Sequence, residues 1–195
     1  MTVLQSESDD GGTPLTHDEL EGLIPSYITL KRELNEAEQI NIVNAEQWAF
    51  NRKRNVLDDK FIKLLHKHMF NDVWKWAGDY RTTERKIGVD AWKIRLEVHQ
   101  LLDDTRYWIE NQTYQVDEIA VRFHHKLVWI HPFPKGNGRH ARIATDLLLK
   151  QLGCSRFTWG SGSLLTTGEL RSKYIEALQA ADRHNMDLLI AFVRS

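Results

Sequence analysis

The chain has 195 residues, 42% hydrophobic and 27% charged, with 26 Lys and Arg against 27 Asp and Glu and a formal charge of −1. A chain of that size buries roughly 70% of its unfolded surface, and so even a charge balance excludes broad, sequence-independent nucleic-acid binding, which needs a basic excess. No apolar run approaches the roughly 20 residues of a membrane span, and the single Cys154 leaves no internal disulfide, so the expected compartment is the cytoplasm.

Residues 1–12 are polar and acidic and predict a flexible tail rather than a leader, ahead of a single domain over 13–195. Thr16-x-x-Glu19 is a capping box that opens a short helix within 16–24, limited by Pro25. Helices are expected over 34–54 and 57–76, the second with Phe61, Leu64, Leu65 and Met69 on one face. Gly78-Asp79 breaks it. Thr82 to Trp92 has Thr, Ile and Val around Gly88 with no helical period, which predicts a small β-hairpin flap. The 3.6-residue period returns at Ile94, Val98, Leu101, Leu102, Thr105, Trp108 and Ile109. Two further helices, about 116–130 and 139–152, are apolar on several sides and so belong to the centre of the fold, with Gly153 as the stop of the second. Helices over 168–183 and 186–193 finish an all-α chain with one small hairpin.

Between the two central helices, residues 131–142 read His131-Pro132-Phe133-Pro134-Lys135-Gly136-Asn137-Gly138-Arg139-His140-Ala141-Arg142. Lys135, Arg139, His140 and Arg142 crowd a helix start where the macrodipole is already positive, a placement that costs about 0.3–1 kcal/mol per charge unless an anion sits among them. Backbone N–H groups of a Gly-rich turn at a helix N-terminus form a phosphate cradle. His131 beside it has the unperturbed pKa of a general base. The spacing is not that of a P-loop, and the nine histidines show no zinc spacing. His124 reads as a hydrogen-bonded core histidine, and Trp74 and Trp76 as packing residues.

This stretch resembles the signature of the Fic family, His-x-Phe-x-(Asp/Glu)-Gly-Asn-Gly-Arg-x-x-Arg, at seven of its eight specified positions. Trp76-Ala77-Gly78-Asp79-Tyr80-Arg81 is similar to the family's lead-in to its flap, and the chain from about 13 to 193 resembles the branch called mobile mystery protein B. The resemblance implies a Fic-type helical bundle that transfers AMP from ATP to a Ser, Thr or Tyr hydroxyl of a target protein. It implies His131 as the base, and Gly136, Asn137 and Gly138 as the cradle through backbone N–H groups and the Asn137 amide. Arg139 and Arg142 would hold the β- and γ-phosphates, with Phe133 as a buried anchor. Ile87, Gly88 and Val89 would dock an extended target segment by strand addition. A helix-turn-helix regulatory partner is implied as well, with no direct contact to nucleic acid or membrane.

Lys135 departs from the signature, standing where the family has an acidic ligand for Mg²⁺. An ammonium about 4 Å from a divalent cation is repelled by roughly 8 kcal/mol at an effective dielectric near 20. No metal ligand is therefore assigned. Lys135 stands in for the metal on the phosphates, or the site takes another nucleotide, or the chain is a nucleotide- or partner-binding module without catalysis. The resemblance also implies an inhibitory glutamate facing the motif's second arginine. Glu21-Gly22 fits the end of that pattern, with His17 at the position of its Ser or Thr, which gives an expected Glu21–Arg142 pair.

Overall fold

The structure, a computed structural model, describes residues 16–162, 164 and 168–195; the expected tail over 1–12 lies outside the described residues. Among the described residues eight α-helices follow in chain order: α1 His17–Leu20, α2 Lys31–Phe50, α3 Asp59–Phe70, α4 Ile94–Glu110, α5 Val116–Ile130, α6 Asn137–Gln151, α7 Glu169–Asp182 and α8 Asp187–Val193. The all-α expectation holds. The hairpin does not: residues 81–90 form bends and irregular chain, and among the described residues the β-structure is one isolated antiparallel bridge, Leu23 to Trp74. No helix among the described residues is long and apolar enough to cross a membrane.

Local chemistry sets the helix ends. The capping box on α1 forms as expected, the Glu19 carboxylate accepting from Thr16 N at 2.8 Å, although the helix is a single turn rather than filling 16–24. Gly153 (φ 76°) ends α6, with Gly153 N donating to Lys150 O and Cys154 N to Leu149 O. These are the two bonds of a Schellman stop.

Helices α5 and α6 pack on each other at the centre. One face of the pair, through Phe123, Leu127, Ile130, Ala141, Ala144 and Leu148, joins the main core made with α2, α3 and α4. The other face, through Ala120, Val121 and Leu149, joins a second core with Phe157, Trp159, α7 and α8. Burying each Leu, Ile or Phe contributes about 1.5–3 kcal/mol. The 131–136 turn is thus held between two helices that are themselves fixed from both sides.

Candidate active site

Helix α5 ends where His131 turns left-handed, at φ 54° and ψ 58°. A non-glycine residue there costs on the order of 1–3 kcal/mol and persists only when its surroundings dictate it. Here Arg81 does so: its Nε donates to His131 O at 2.7 Å, Nη1 to Thr83 O at 2.9 Å and Nη2 to Val89 O. Arg81 N donates to Pro132 O at 2.9 Å and Val89 N to Ile130 O at 3.3 Å. Gly88 (φ 92°) lies so close that an added Cβ would be 2.6 Å from the Cβ of His131. The turn after His131 is braced from within. Asn137 accepts from Phe133 N at 2.9 Å through its side-chain oxygen and donates to Phe133 O at 2.8 Å through its side-chain nitrogen. Phe133 is wholly buried.

Gly136 (φ 81°) precedes α6 with no side-chain cap. A Cβ there would stand 2.3 Å from the Phe70 ring. The first intrahelical bond of α6 is His140 N to Gly136 O, at 2.9 Å. The N–H groups of Asn137, Gly138 and Arg139 therefore have no partner within the helix, and they form the positive end of its dipole. A Cβ on Gly138 would meet only Arg142 Nη1, at 3.7 Å.

Two cations of this helix start share one carboxylate. Glu38 of α2 has no exposed surface. Its Oε1 lies 2.8 Å from Lys135 Nζ and accepts from Trp74 Nε1 at 2.9 Å, and its Oε2 accepts from Arg139 Nη2 at 2.8 Å. Burial pushes this carboxyl up, but the Lys135 ammonium and Arg139 guanidinium outweigh it and hold the pKa below the usual glutamate value. Arg142 is set apart from that group: its guanidinium lies over the Tyr174 ring, 5.9 Å from the centroid, and the Tyr174 hydroxyl sits 2.9 Å from His124 Nε2. Burial, with the Arg81 guanidinium nearby, lowers the His131 pKa to about 4, so its imidazole is neutral at pH 7.

The structure brings His131, Lys135, Gly136, Asn137, Gly138 and Arg139 to one turn, as the sequence predicts. Three expectations change. The Asn137 side chain is committed to the Phe133 backbone, leaving only its N–H for a phosphate. The flap is no strand pair, because the Arg81 guanidinium takes carbonyls at Thr83 and Val89 that a hairpin ladder would use. Val89 is buried, while Ile87 is 56% exposed. The loop is also tied to α1, where Glu19 accepts from Thr83 Oγ1 at 3.0 Å and pairs with Arg85. Third, Glu21 does not meet Arg142. It is exposed and faces His17 at 3.4 Å across one turn.

Glu38 and Arg81 are site residues that the sequence reading missed. For Glu38 a signal existed: it falls four residues from both Leu34 and Ile42, in the middle of the stripe α2 buries. The residues present do not fit a divalent cation. The position expected to supply a carboxylate presents an ammonium, and Glu38 is occupied by three donors. No group of three or more His, Cys, Asp or Glu side chains that could hold a metal ion occurs among the described residues.

Residues 56–149 match the Fic/DOC family. The chain is 32% identical over 121 residues to protein adenylyltransferase fic-1 of Caenorhabditis elegans, covering 60% of this chain and 22% of that protein. It is 27% identical over 120 residues to protein adenylyltransferase Fic of Nematostella vectensis, covering 60% and 26%. The chain therefore spans about a quarter of the length of these curated relatives. In fold it is similar to BepC, a VirB-translocated effector of Bartonella tribocorum solved with bound AMPPNP (TM-score 0.69, 22% identity, 92% of this chain and 97% of that one). It is similar also to the N-terminal Fic domain of a VirB-translocated Bep effector of Bartonella quintana (TM-score 0.73, 16% identity, 92% of each chain).

Proposed function

The chain carries a Fic/DOC family domain over residues 56–149, and we propose that it binds ATP at the start of α6 and transfers AMP to a Ser, Thr or Tyr hydroxyl of a protein. The observation that carries this reading is a neutral, buried His131 on the same short turn as a cluster of helix N–H groups and cations. Phosphate binding alone has no use for an imidazole held there against backbone strain.

In this mechanism His131 takes the proton of the acceptor hydroxyl as its oxygen attacks the α-phosphorus. The bond from that phosphorus to the bridging oxygen breaks, and pyrophosphate leaves with the electron pair. Lys135 and Arg139 neutralise the leaving phosphates, and the N–H groups of Gly138 and Arg139 hold their oxygens. Arg142, three residues further along α6, serves the γ-phosphate. Lys135 acts as a point charge where other members of the family place a metal ligand. Residues 87–89 present the acceptor segment to His131.

ATP has to displace Glu38 from Lys135 and Arg139, one anion exchanging for another. Glu38 rather than Glu21 is therefore the built-in competitor, and the resting chain is autoinhibited through it. A second reading, a nucleotide- or partner-binding module without transfer, draws on the same Lys135–Glu38 pair. The implied helix-turn-helix regulator is a candidate partner under either reading.

Parallel incubations of the chain and cell extract with α-labelled and γ-labelled ATP test the proposal. AMP transfer labels protein from the α-label and not from the γ-label. Label from neither, in an extract that another Fic enzyme can modify, moves the assignment to the binding module.

A further inference from the structure

One buried side chain touches this loop without belonging to the signature. His66 of α3 has no exposed surface. Its Nδ1 accepts from Gly78 N at 3.0 Å, and its Nε2 lies 3.0 Å from Lys135 O. Its ring stacks on Phe133 at 3.7 Å between centroids and 12° between planes. Since the Gly78 N–H needs a lone pair on Nδ1, the proton of the neutral ring is on Nε2, which donates to Lys135 O. One imidazole thus fixes two residues of the turn, Phe133 by stacking and Lys135 by hydrogen bonding.

The consequence lies in the next bond. Among the described residues there are no cis peptides, and in a trans peptide the C=O and N–H point in opposite directions. Holding Lys135 O inward against α3 therefore turns the Gly136 N–H outward, to the side of the turn away from the His66 ring. A flip of this peptide changes ψ of Lys135 and φ of Gly136. Glycine accepts either sign of φ at little cost, so the backbone itself does not choose. A flipped peptide would present a carbonyl dipole to a phosphate in place of an N–H.

We propose that His66 is a positioning residue for the nucleotide site: by binding Lys135 O it locks the 135–136 peptide so that the Gly136 N–H is a phosphate donor, continuous with those of Asn137, Gly138 and Arg139. This rests on the reading of the α6 start as a polyphosphate site. His66 itself touches no phosphate and takes no part in proton transfer.

The test uses the full chain, ¹⁵N-labelled, with inorganic pyrophosphate as the probe. In the native chain pyrophosphate shifts the amide resonances of residues 136–139, and the ¹⁵N spectrum of the His66 ring shows the proton on Nε2. His66→Phe keeps the stacking ring but loses both hydrogen bonds. It is expected to weaken pyrophosphate by about tenfold, the scale of one hydrogen bond to a charged group, and to abolish the shift at Gly136 while those at Gly138 and Arg139 persist. His66→Gln returns a donor near Nε2 and is expected to restore affinity to within about threefold, with the Gly136 shift.

A folded His66→Phe chain that binds as the native does and still moves Gly136 overturns the proposal. A native ring protonated on Nδ1 overturns it too, whether or not the variant folds. If the native chain binds pyrophosphate without moving any amide of 136–139, or does not bind it, the nucleotide-site reading fails first and this inference with it.

Discussion

Glu38 and Lys135 stand 2.8 Å apart, the carboxylate fully buried and the ammonium at the turn that leads into α6. The same carboxylate holds Arg139 at 2.8 Å, so the two cations at the start of α6 are neutralised from within the chain. Buried pairs of this kind add little net stability when intact, but removing one partner is costly because the other is left uncompensated.

Glu38→Gln is therefore expected to lower stability and raise affinity at once. Loss of the carboxylate should cost about 3 kcal/mol, which for a domain of this size lowers Tm by roughly 6–12 °C. Saturating ATP should recover most of that loss, while the native Tm moves little. Thermal melts of both chains with and without ATP check the pairing of these effects. A variant destabilised equally with and without ATP would mean that Glu38 braces the fold and does not compete with phosphate.

Lys135 leads to a separate expectation. With an ammonium serving the phosphates, the Kd for ATP should change by less than about threefold when EDTA replaces Mg²⁺, a difference under 1 kcal/mol. Lys135→Ala should weaken ATP about tenfold or more, as loss of a charge-assisted contact does. Isothermal titration under both conditions measures each quantity. A requirement for Mg²⁺ in the native chain would show that the lysine does not do this work.

The two glycines that flank Asn137 should respond oppositely. Gly138→Ala has room and favours the helix by about 1 kcal/mol, so it should leave or raise Tm while obstructing close approach of a phosphate to the backbone. Gly136→Ala forces a Cβ into Phe70 at positive φ and should destabilise the fold itself. Comparing Tm with ATP affinity for both variants separates the two roles.

The buried histidines set the acid behaviour. His131 and His140 have pKa values lowered to about 4, and His124 to about 3, by burial first. Unfolded histidine titrates near 6.5, so as pH falls from about 6.5 towards 4 the unfolded chain binds more protons. Stability is lost over that window at roughly 1.4 kcal/mol per pH unit for each histidine. Asp146, its carboxyl pushed up by burial, opposes this in part. For activity, kcat/KM reports the free enzyme, and its His131 limb should lie near pH 4. The limb in kcat should lie higher, because bound phosphates favour the imidazolium. Denaturant titrations and rate profiles between pH 4 and 8 check both. A kcat/KM limb near 6.5 would mean an exposed His131.

Much of this was legible in the chain. The apolar periods of α4 and α5 place those helices, beginning at Ile94 and Val116 as observed, and the 131–142 spacing locates the turn between the two central helices. The flap was not legible, since its alternating Thr, Ile and Val suit a strand. Arg81 overrides that preference by binding carbonyls two and eight residues further along the chain, and no local pattern announces such bonds. Glu38 looks like its neighbours Glu33 and Glu36 until helix phase sets it among Leu34 and Ile42. Glu21 failed for the converse reason: its short motif fits a pattern, but α1 is one turn long and leaves that side chain in solvent beside His17.

The most direct test of the account is transfer of label from α-labelled ATP by Glu38→Gln, with and without His131→Ala in the same chain. Glu38→Gln is expected to label more protein than the native chain does, and the double variant none, although that variant still binds ATP. Labelling that persists without His131 would contradict its role as the base. ATP binding with no labelling by Glu38→Gln, in extract that a known Fic adenylyltransferase can modify, would make this chain a binding module and contradict the transferase assignment.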